Sequence, residues 1–173
     1  MDSDDEDCYS VNGNDIYYYC DVNKKNTFNL NKDLRKIAVK NNKDINLYIL
    51  SQGGDLHCGL SSYDVIKSIP NKIYTYAEGL CCSSATIILL GGDVVCMNKN
   101  SVLLLHQLST EFSGNRGNLK DETHNIDILY EKMTNIYKSK IKDDSFNLKE
   151  ELSNERYISA HKCLKIKLID KII

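Results

Sequence analysis

The stretch Gly79-Leu80-Cys81-Cys82-Ser83-Ser84-Ala85-Thr86 decides how this chain is read. A β-prone run, Ile73 to Tyr76, leads into it, and Gly79 predicts a turn. Ser83 to Leu90 is apolar and opens on small residues. That pattern predicts a buried helix, closed by Gly91-Gly92-Asp93. Ser83 then stands where a helix begins, and unpaired N–H groups there favour developing negative charge. A serine hydroxyl is a weak nucleophile near neutral pH and needs a base to take its proton. The base needs an acid partner to hold its tautomer. The oxyanion formed needs backbone N–H donors. The rest of the chain carries a candidate for each of these parts.

Upstream, Ile45 to Leu50 reads as a strand that stops at Ser51-Gln52-Gly53-Gly54. The doublet puts two flexible amides at a strand's carboxyl end, the place for an oxyanion or ligand turn. Taken alone, such a doublet is more often an ordinary tight turn. Leu60, Tyr63, Ile66 and Ile69 recur at helical spacing until Pro70-Asn71 stops them. Earlier still, Ile16 to Cys20 predicts a strand. Asn29 to Val39 predicts a helix capped by Asn29 or Asn31. Downstream, Val94–Met97 and Val102–Leu105 predict short strands joined by Asn98-Lys99-Asn100. Phe112 to Gly117 is polar and contains glycine. Leu119 to about Ile141 predicts the longest helix, with Leu119, Ile126, Leu129, Met133, Ile136 and Tyr137 on one stripe. Leu164, Ile166, Leu168, Ile169, Ile172 and Ile173 predict a closing strand. Alternating strands and helices argue for an α/β fold.

The 173 residues are most simply one domain, residues 11–173, behind an acidic tail, residues 1–10, expected to be disordered. Five acids fall in the first seven residues, so the remainder carries about +3 out of a net −2. That balance gives no case for nucleic-acid binding. No apolar run approaches the ~20 residues of a membrane helix, and the start lacks a secretory pattern. The seven cysteines contain no Cys-x-x-Cys pair, so no metal site is expected. Several lie in apolar context as small hydrophobes, which fits a reducing, cytoplasmic setting. No cofactor is expected.

His106 follows Val102-Leu103-Leu104-Leu105; a lone histidine there is more often structural, but its place at a strand's end before Gln107 favours an active-site role. His57 adjoins the glycine turn and is the rival base; His124 and His161 are weaker candidates. Glu155, in Ser153-Asn154-Glu155-Arg156-Tyr157, is a candidate acid, with Glu151, Asp143 and Asp144 as local rivals. Residue chemistry does not choose among these. The Gly-x-Ser-x-Gly elbow of the α/β-hydrolases is absent.

Taken together, these segments resemble the ClpP family of serine peptidases, from about Ile16 to Ile173. Gly53-Gly54-Asp55-Leu56 and the helix through Tyr63-Asp64 resemble that family's oxyanion turn and the helix after it. Gly79 to Thr86 resembles its nucleophile segment, and Asn100 to Gln107 the segment carrying its histidine. Glu155 to Ala160, followed by Leu168-Ile169-Asp170, resembles its acid loop and closing strand. The resemblance implies a spiral of repeated β-β-α units with a projecting handle helix. It implies Ser83, His106 and Glu155 as the triad, with Gly54 and Ser84 amides as the oxyanion hole. It implies an unfolded polypeptide substrate, lying as a strand against Gly53 and the handle entry at Phe112, Ser113 and Gly114. It also implies a homo-oligomer of heptameric rings, stacked in pairs around a chamber, and a Clp-type ATPase as partner.

Several positions depart from the family pattern. Glu155 stands where the family has aspartate, Gln52 replaces a proline, and Asn154 replaces an arginine of the ring contact. Two residues are missing between Ser83 and His106, most simply after Gly92. The short acidic N-terminus lacks the apolar segment used at the family's pore, which counts against ATPase docking. These departures resemble divergent viral or phage-type members. Three functions compete: a serine endopeptidase, a catalytically inactive subunit of the same fold, and a crotonase-type CoA-thioester enzyme. The last needs no serine nucleophile, so the Ser83, His106 and Glu155 set argues against it.

Overall fold

A computed structural model describes residues 8–173. The expected acidic tail therefore lies, for residues 1–7, outside the described residues. The chain begins with a hairpin, β1 (Tyr9–Asn12) and β2 (Asp15–Tyr18), turned at Gly13 with φ 64°. Helix α1 (Lys24–Lys40), strand β3 (Ile45–Ser51), helix α2 (Leu56–Ser68) and strand β4 (Ile73–Cys82) follow. Then come α3 (Ser84–Leu90), β5 (Val94–Met97), β6 (Val102–Leu104) and the long α4 (Arg116–Lys140). The chain closes with α5 (Leu148–Leu152), β7 (Tyr157–Ser159), α6 (Ala160–Lys165) and β8 (Lys171–Ile172). The sheet runs β1-β2-β3-β4-β5-β8, mostly parallel, with β6 and β7 continuing from β4. This is the expected α/β fold.

Strand β4 organises the molecule because it has two sets of neighbours. Tyr74–Ala77 pairs with β5, whereas Leu80–Cys82 pairs with β6. Gly79, φ 65°, is the bend between the two halves. Its N–H donates to Ser101 Oγ at 2.7 Å, and that hydroxyl donates to Ala77 O at 3.0 Å. Gly79 therefore does not start a turn, as its sequence context predicts. The bend stays within the strand because a side chain from the β5–β6 connection takes up the amide that the bend frees.

Other boundaries shift for similar reasons. Helix α1 starts at Lys24, capped by the Asn23 side chain on the Asn26 N–H, and not at Asn29 or Asn31. Its first turns bury the polar Asn26 and Thr27, which an apolar stripe cannot reveal. The closing strand is only Lys171–Ile172. Leu164 lies in α6, while Ile166, Leu168 and Ile169 are buried around Lys167, whose φ is 64°. The core is one cluster joining the sheet, α3 and the inner faces of α1, α2 and α4. In α4 only Met133, Thr134 and Tyr137 are buried, so its first half projects as a handle with Leu119 and Ile128 exposed. Among the described residues no helix is long and apolar enough to cross a membrane.

Candidate active site

Ser83 occupies the junction between β4 and α3 with φ 53° and ψ −131°. A left-handed φ at a residue with a Cβ costs on the order of 1–3 kcal/mol, so the surroundings must impose it. They do so through the backbone. Ser83 N–H donates to Leu104 O at 2.8 Å, and Ser83 O accepts from Thr86 N–H at 2.9 Å. The Thr86 hydroxyl adds a third bond, donating to Ser83 O at 2.6 Å. That hydroxyl has a single proton, so its 2.8 Å contact with Tyr137 Oη must be donated by the tyrosine. Tyr137 is buried on the handle helix, and burial pushes its phenol well above the usual range. The handle is thus tied to the nucleophile segment by one hydroxyl chain.

The glycine turn presses on the same junction. A Cβ added to Gly53 would stand 2.6 Å from Cys82 O and 2.7 Å from Ser83 Cβ. One added to Gly54 would stand 2.3 Å from Val22 O. Gly53 O accepts from Val22 N–H, and Val22 O accepts from Asp55 N–H, both at 2.8 Å. The bridge between Val22 and Gly54 leaves Gly54 N–H with no acceptor among the described residues. Ser84 is the first residue of α3, so its N–H has no intrahelical acceptor either. Two amides on adjoining segments therefore flank Ser83 unspent.

The sheet register brings in the other two segments. Cys82 pairs with Leu104, and Leu104 pairs with Tyr157. The ends of β4 and β6 and the start of β7 are therefore side by side, with Ser83, His106 and Glu155 one or two residues beyond them. Past Leu104 the pairing changes. Gln107 N–H donates to Leu152 O at 2.8 Å, so residues 153–156 form an arch opposite Leu105 and His106, between that bond and the Leu104–Tyr157 pair. His106 is half-buried, and Glu155 is exposed on that arch. Among the described residues no hydrogen bond joins the side chains of Ser83, His106 and Glu155.

The rival residues stand elsewhere. Glu151 is buried in an ion pair with Lys162 at 3.1 Å. Asp143 accepts from Ser145 N–H at 2.9 Å and Ser145 Oγ at 2.6 Å, which holds its carboxyl below the usual range. Asp144 is exposed. His57 is exposed on the first turn of α2, in a groove shared with α1. His124 and His161 are exposed on α4 and α6. Phe112, Ser113 and Gly114 lie in the exposed segment before α4, where the Phe112 ring folds over Gly114. Sequence reasoning missed the roles of Thr86, Leu104 and Tyr137 in fixing Ser83. The place of Tyr137 on the apolar stripe of α4 was the one signal.

An α/β fold thus presents a strained serine beside two unspent amides. The Clp protease family matches residues 7–173, and the chain belongs to that family. It is 27% identical over 133 residues to an ATP-dependent Clp protease proteolytic subunit of Deinococcus radiodurans, covering 76% of this chain and 65% of that protein. A counterpart from Physcomitrium patens is 25% identical over 134 residues, covering 76% and 67%. The chain thus spans about two-thirds of the length of these relatives. The structure of a ClpP1 point mutant from Listeria monocytogenes superposes with a TM-score of 0.83, covering 93% of this chain and 91% of that one at 18% identity.

Proposed function

We propose that the protein is a serine endopeptidase acting on unfolded polypeptide, with Ser83 as nucleophile, His106 as general base and Glu155 as the acid. The observation that carries this reading is the strand register. Cys82, Leu104 and Tyr157 lie abreast in adjacent strands, so the three candidate residues leave the sheet at one edge. Ser83 Oγ attacks the scissile carbonyl carbon while His106 takes its proton. The carbonyl oxygen becomes an oxyanion and accepts from Gly54 N–H and Ser84 N–H. His106 returns the proton to the departing amine, leaving an acyl group on Ser83. Water, deprotonated by His106, then releases it. Glu155 stabilises the imidazolium and fixes its tautomer. The substrate lies as a strand along Gly53 and residues 112–114.

Assembly belongs to the same proposal. On the handle, Leu119 of the stripe and Ile128 outside it are wet in a single chain, which favours burial against further copies in heptameric, stacked rings. The relatives are described as subunits of an ATP-dependent protease; a Clp-type ATPase and a cytoplasmic setting follow for this chain as proposals. The test is labelling with a fluorophosphonate, followed by mapping of the modified residue. Label on Ser83 is the expected result. Label on Ser84, or none at all, removes the nucleophile assignment, and inertness towards peptides as well supports the inactive-subunit reading. That second reading has one observation behind it, the exposure of Glu155.

A further inference from the structure

We propose that Cys8 and Cys20 form a peroxide-responsive dithiol–disulfide pair that staples the N-terminal hairpin. Their Sγ atoms lie 2.6 Å apart, with the Cys8 thiol donating to the Cys20 sulfur. A disulfide bond is about 2.0 Å long, so closure needs an approach of roughly half an ångström. The hairpin explains the proximity. Tyr9 faces Tyr18, and Tyr19 N–H donates to Cys8 O at 2.8 Å. Strand alternation would next turn Cys20 to the opposite face. Instead the chain bends at Cys20, and its thiol folds back to donate to Cys8 O at 3.0 Å.

The remaining cysteines set this pair apart. Cys58, Cys81, Cys82, Cys96 and Cys163 are all buried, whereas Cys8 is half-buried. Burial pushes the Cys82 thiol up to about 11 and the Cys163 thiol up to about 12, which keeps them protonated and slow to oxidise. Cys8 is therefore the sulfur that an oxidant reaches, with Cys20 as its resolving partner.

The oxidant is hydrogen peroxide or an organic hydroperoxide. The Cys8 thiolate attacks one peroxide oxygen, the O–O bond breaks, and Cys8 becomes a sulfenic acid. The Cys20 sulfur then attacks the Cys8 sulfur. The S–O bond breaks, the S–S bond forms, and water leaves. Overall, two thiols and one hydrogen peroxide give one disulfide and two waters, a two-electron oxidation that a dithiol reductant reverses. The cross-link spans twelve positions of chain. It ends two residues before Val22, whose backbone holds Gly53 and Asp55. The staple thus sits next to the strap that pins the glycine turn, and it is independent of what Ser83 does.

The experiment treats the full chain with hydrogen peroxide, alkylates it under denaturing conditions, and maps the peptides. The expected result is a linked Cys8–Cys20 peptide, an intact mass lower by about 2 Da before alkylation, and recovery of all seven alkylatable thiols after dithiothreitol. The melting midpoint should rise by roughly 5–10 °C on oxidation. Cys8→Ser, at a half-buried position, and Cys20→Ser should each lose the protection and the rise. Both thiols staying alkylatable, Cys8 ending as sulfinic acid, or another cysteine pair being linked overturns the proposal. So does a linked pair with no rise in midpoint, or a rise that persists in Cys8→Ser.

Discussion

The two ends of the candidate triad are built in opposite ways. At the serine end the backbone does the positioning. Leu104 O, Thr86 and the Gly53 backbone all bear on Ser83, and Thr86 is held in turn by buried Tyr137. At the acid end, Glu155 and Arg156 are exposed on the arch, and among the described residues neither makes a backbone–backbone hydrogen bond. The serine geometry is therefore a property of the folded core, shared among several hydrogen bonds. The acid geometry depends on one side chain reaching from an exposed arch, so it is sensitive to charge and to what packs beside it. Changes at the first end should act through precision of position. Changes at the second should act through electrostatics, leaving the fold untouched.

The largest effect should come from Ser83→Ala, which removes the nucleophile and relieves no contact in the core. Turnover of a fluorogenic peptide should fall by roughly 10⁶, the scale seen when a nucleophilic serine is removed from a triad. Circular dichroism should be unchanged. Turnover within tenfold of the parent would place the nucleophile elsewhere.

Glu155→Gln comes next and tests the other end. An amide in place of a triad carboxylate costs roughly 10⁴ in kcat in the well-studied chymotrypsin-type case. Because Glu155 is exposed, the melting midpoint should not move. Glu155→Asp keeps the charge and should hold or raise turnover. Glu151→Gln should do the reverse, lowering stability by weakening the pair between buried Glu151 and half-exposed Lys162 while sparing turnover. Full activity in Glu155→Gln would move the acid to Asp144.

Gly53→Ala returns to the serine end and should cost roughly 10²–10³ in rate, the scale of a lost oxyanion donor. The reason is positional. The new Cβ would stand 2.6 Å from Cys82 O and 2.7 Å from Ser83 Cβ, at a φ of 97° that side chains avoid. Either the turn or the serine must move. Fluorophosphonate labelling should slow in parallel with turnover; unaltered labelling would show that the turn yields instead.

Much of this division was legible in the sequence, and the illegible parts share a cause. The strand before Gly53-Gly54, the helix after Ser83 and the α/β class follow from local pattern. The pairing of Cys82 with Leu104 and of Leu104 with Tyr157 does not, because it joins segments far apart in the chain. Gly79 misleads for the same reason. Its neighbours predict a turn, and only Ser101, twenty-two positions away, lets the strand continue. The start of α1 was hidden by buried polar residues, and β1 by its place beside the acidic N-terminus. At the site, Ser83 stands out by chemistry, whereas Thr86 and Tyr137 act through one hydroxyl contact that no spacing reveals.

The smallest effect lies in that contact. Tyr137→Phe removes the phenol that donates to Thr86 Oγ1, yet leaves the ring in the core and the Thr86 bond to Ser83 O in place. The loss should be about 0.5–1.5 kcal/mol of stability, the net worth of one hydrogen bond. Turnover should fall by no more than about tenfold, since Ser83 O keeps both of its donors. Thr86→Val should cost more, about 1–3 kcal/mol, because it strands the Tyr137 hydroxyl in the core and strips one donor from Ser83 O. The pH dependence separates the two. Burial raises the Tyr137 phenol above its unfolded value of 10.0, so its neutral form stabilises the fold fully below that pH, and the contribution drains away as pH rises further. Tyr137→Phe should therefore flatten part of the alkaline fall in stability, while Thr86→Val should keep it. If Tyr137→Phe costs as much activity as Thr86→Val, the handle positions Ser83 more directly than through Thr86. The serine end would then depend on the handle's packing as much as on its own backbone.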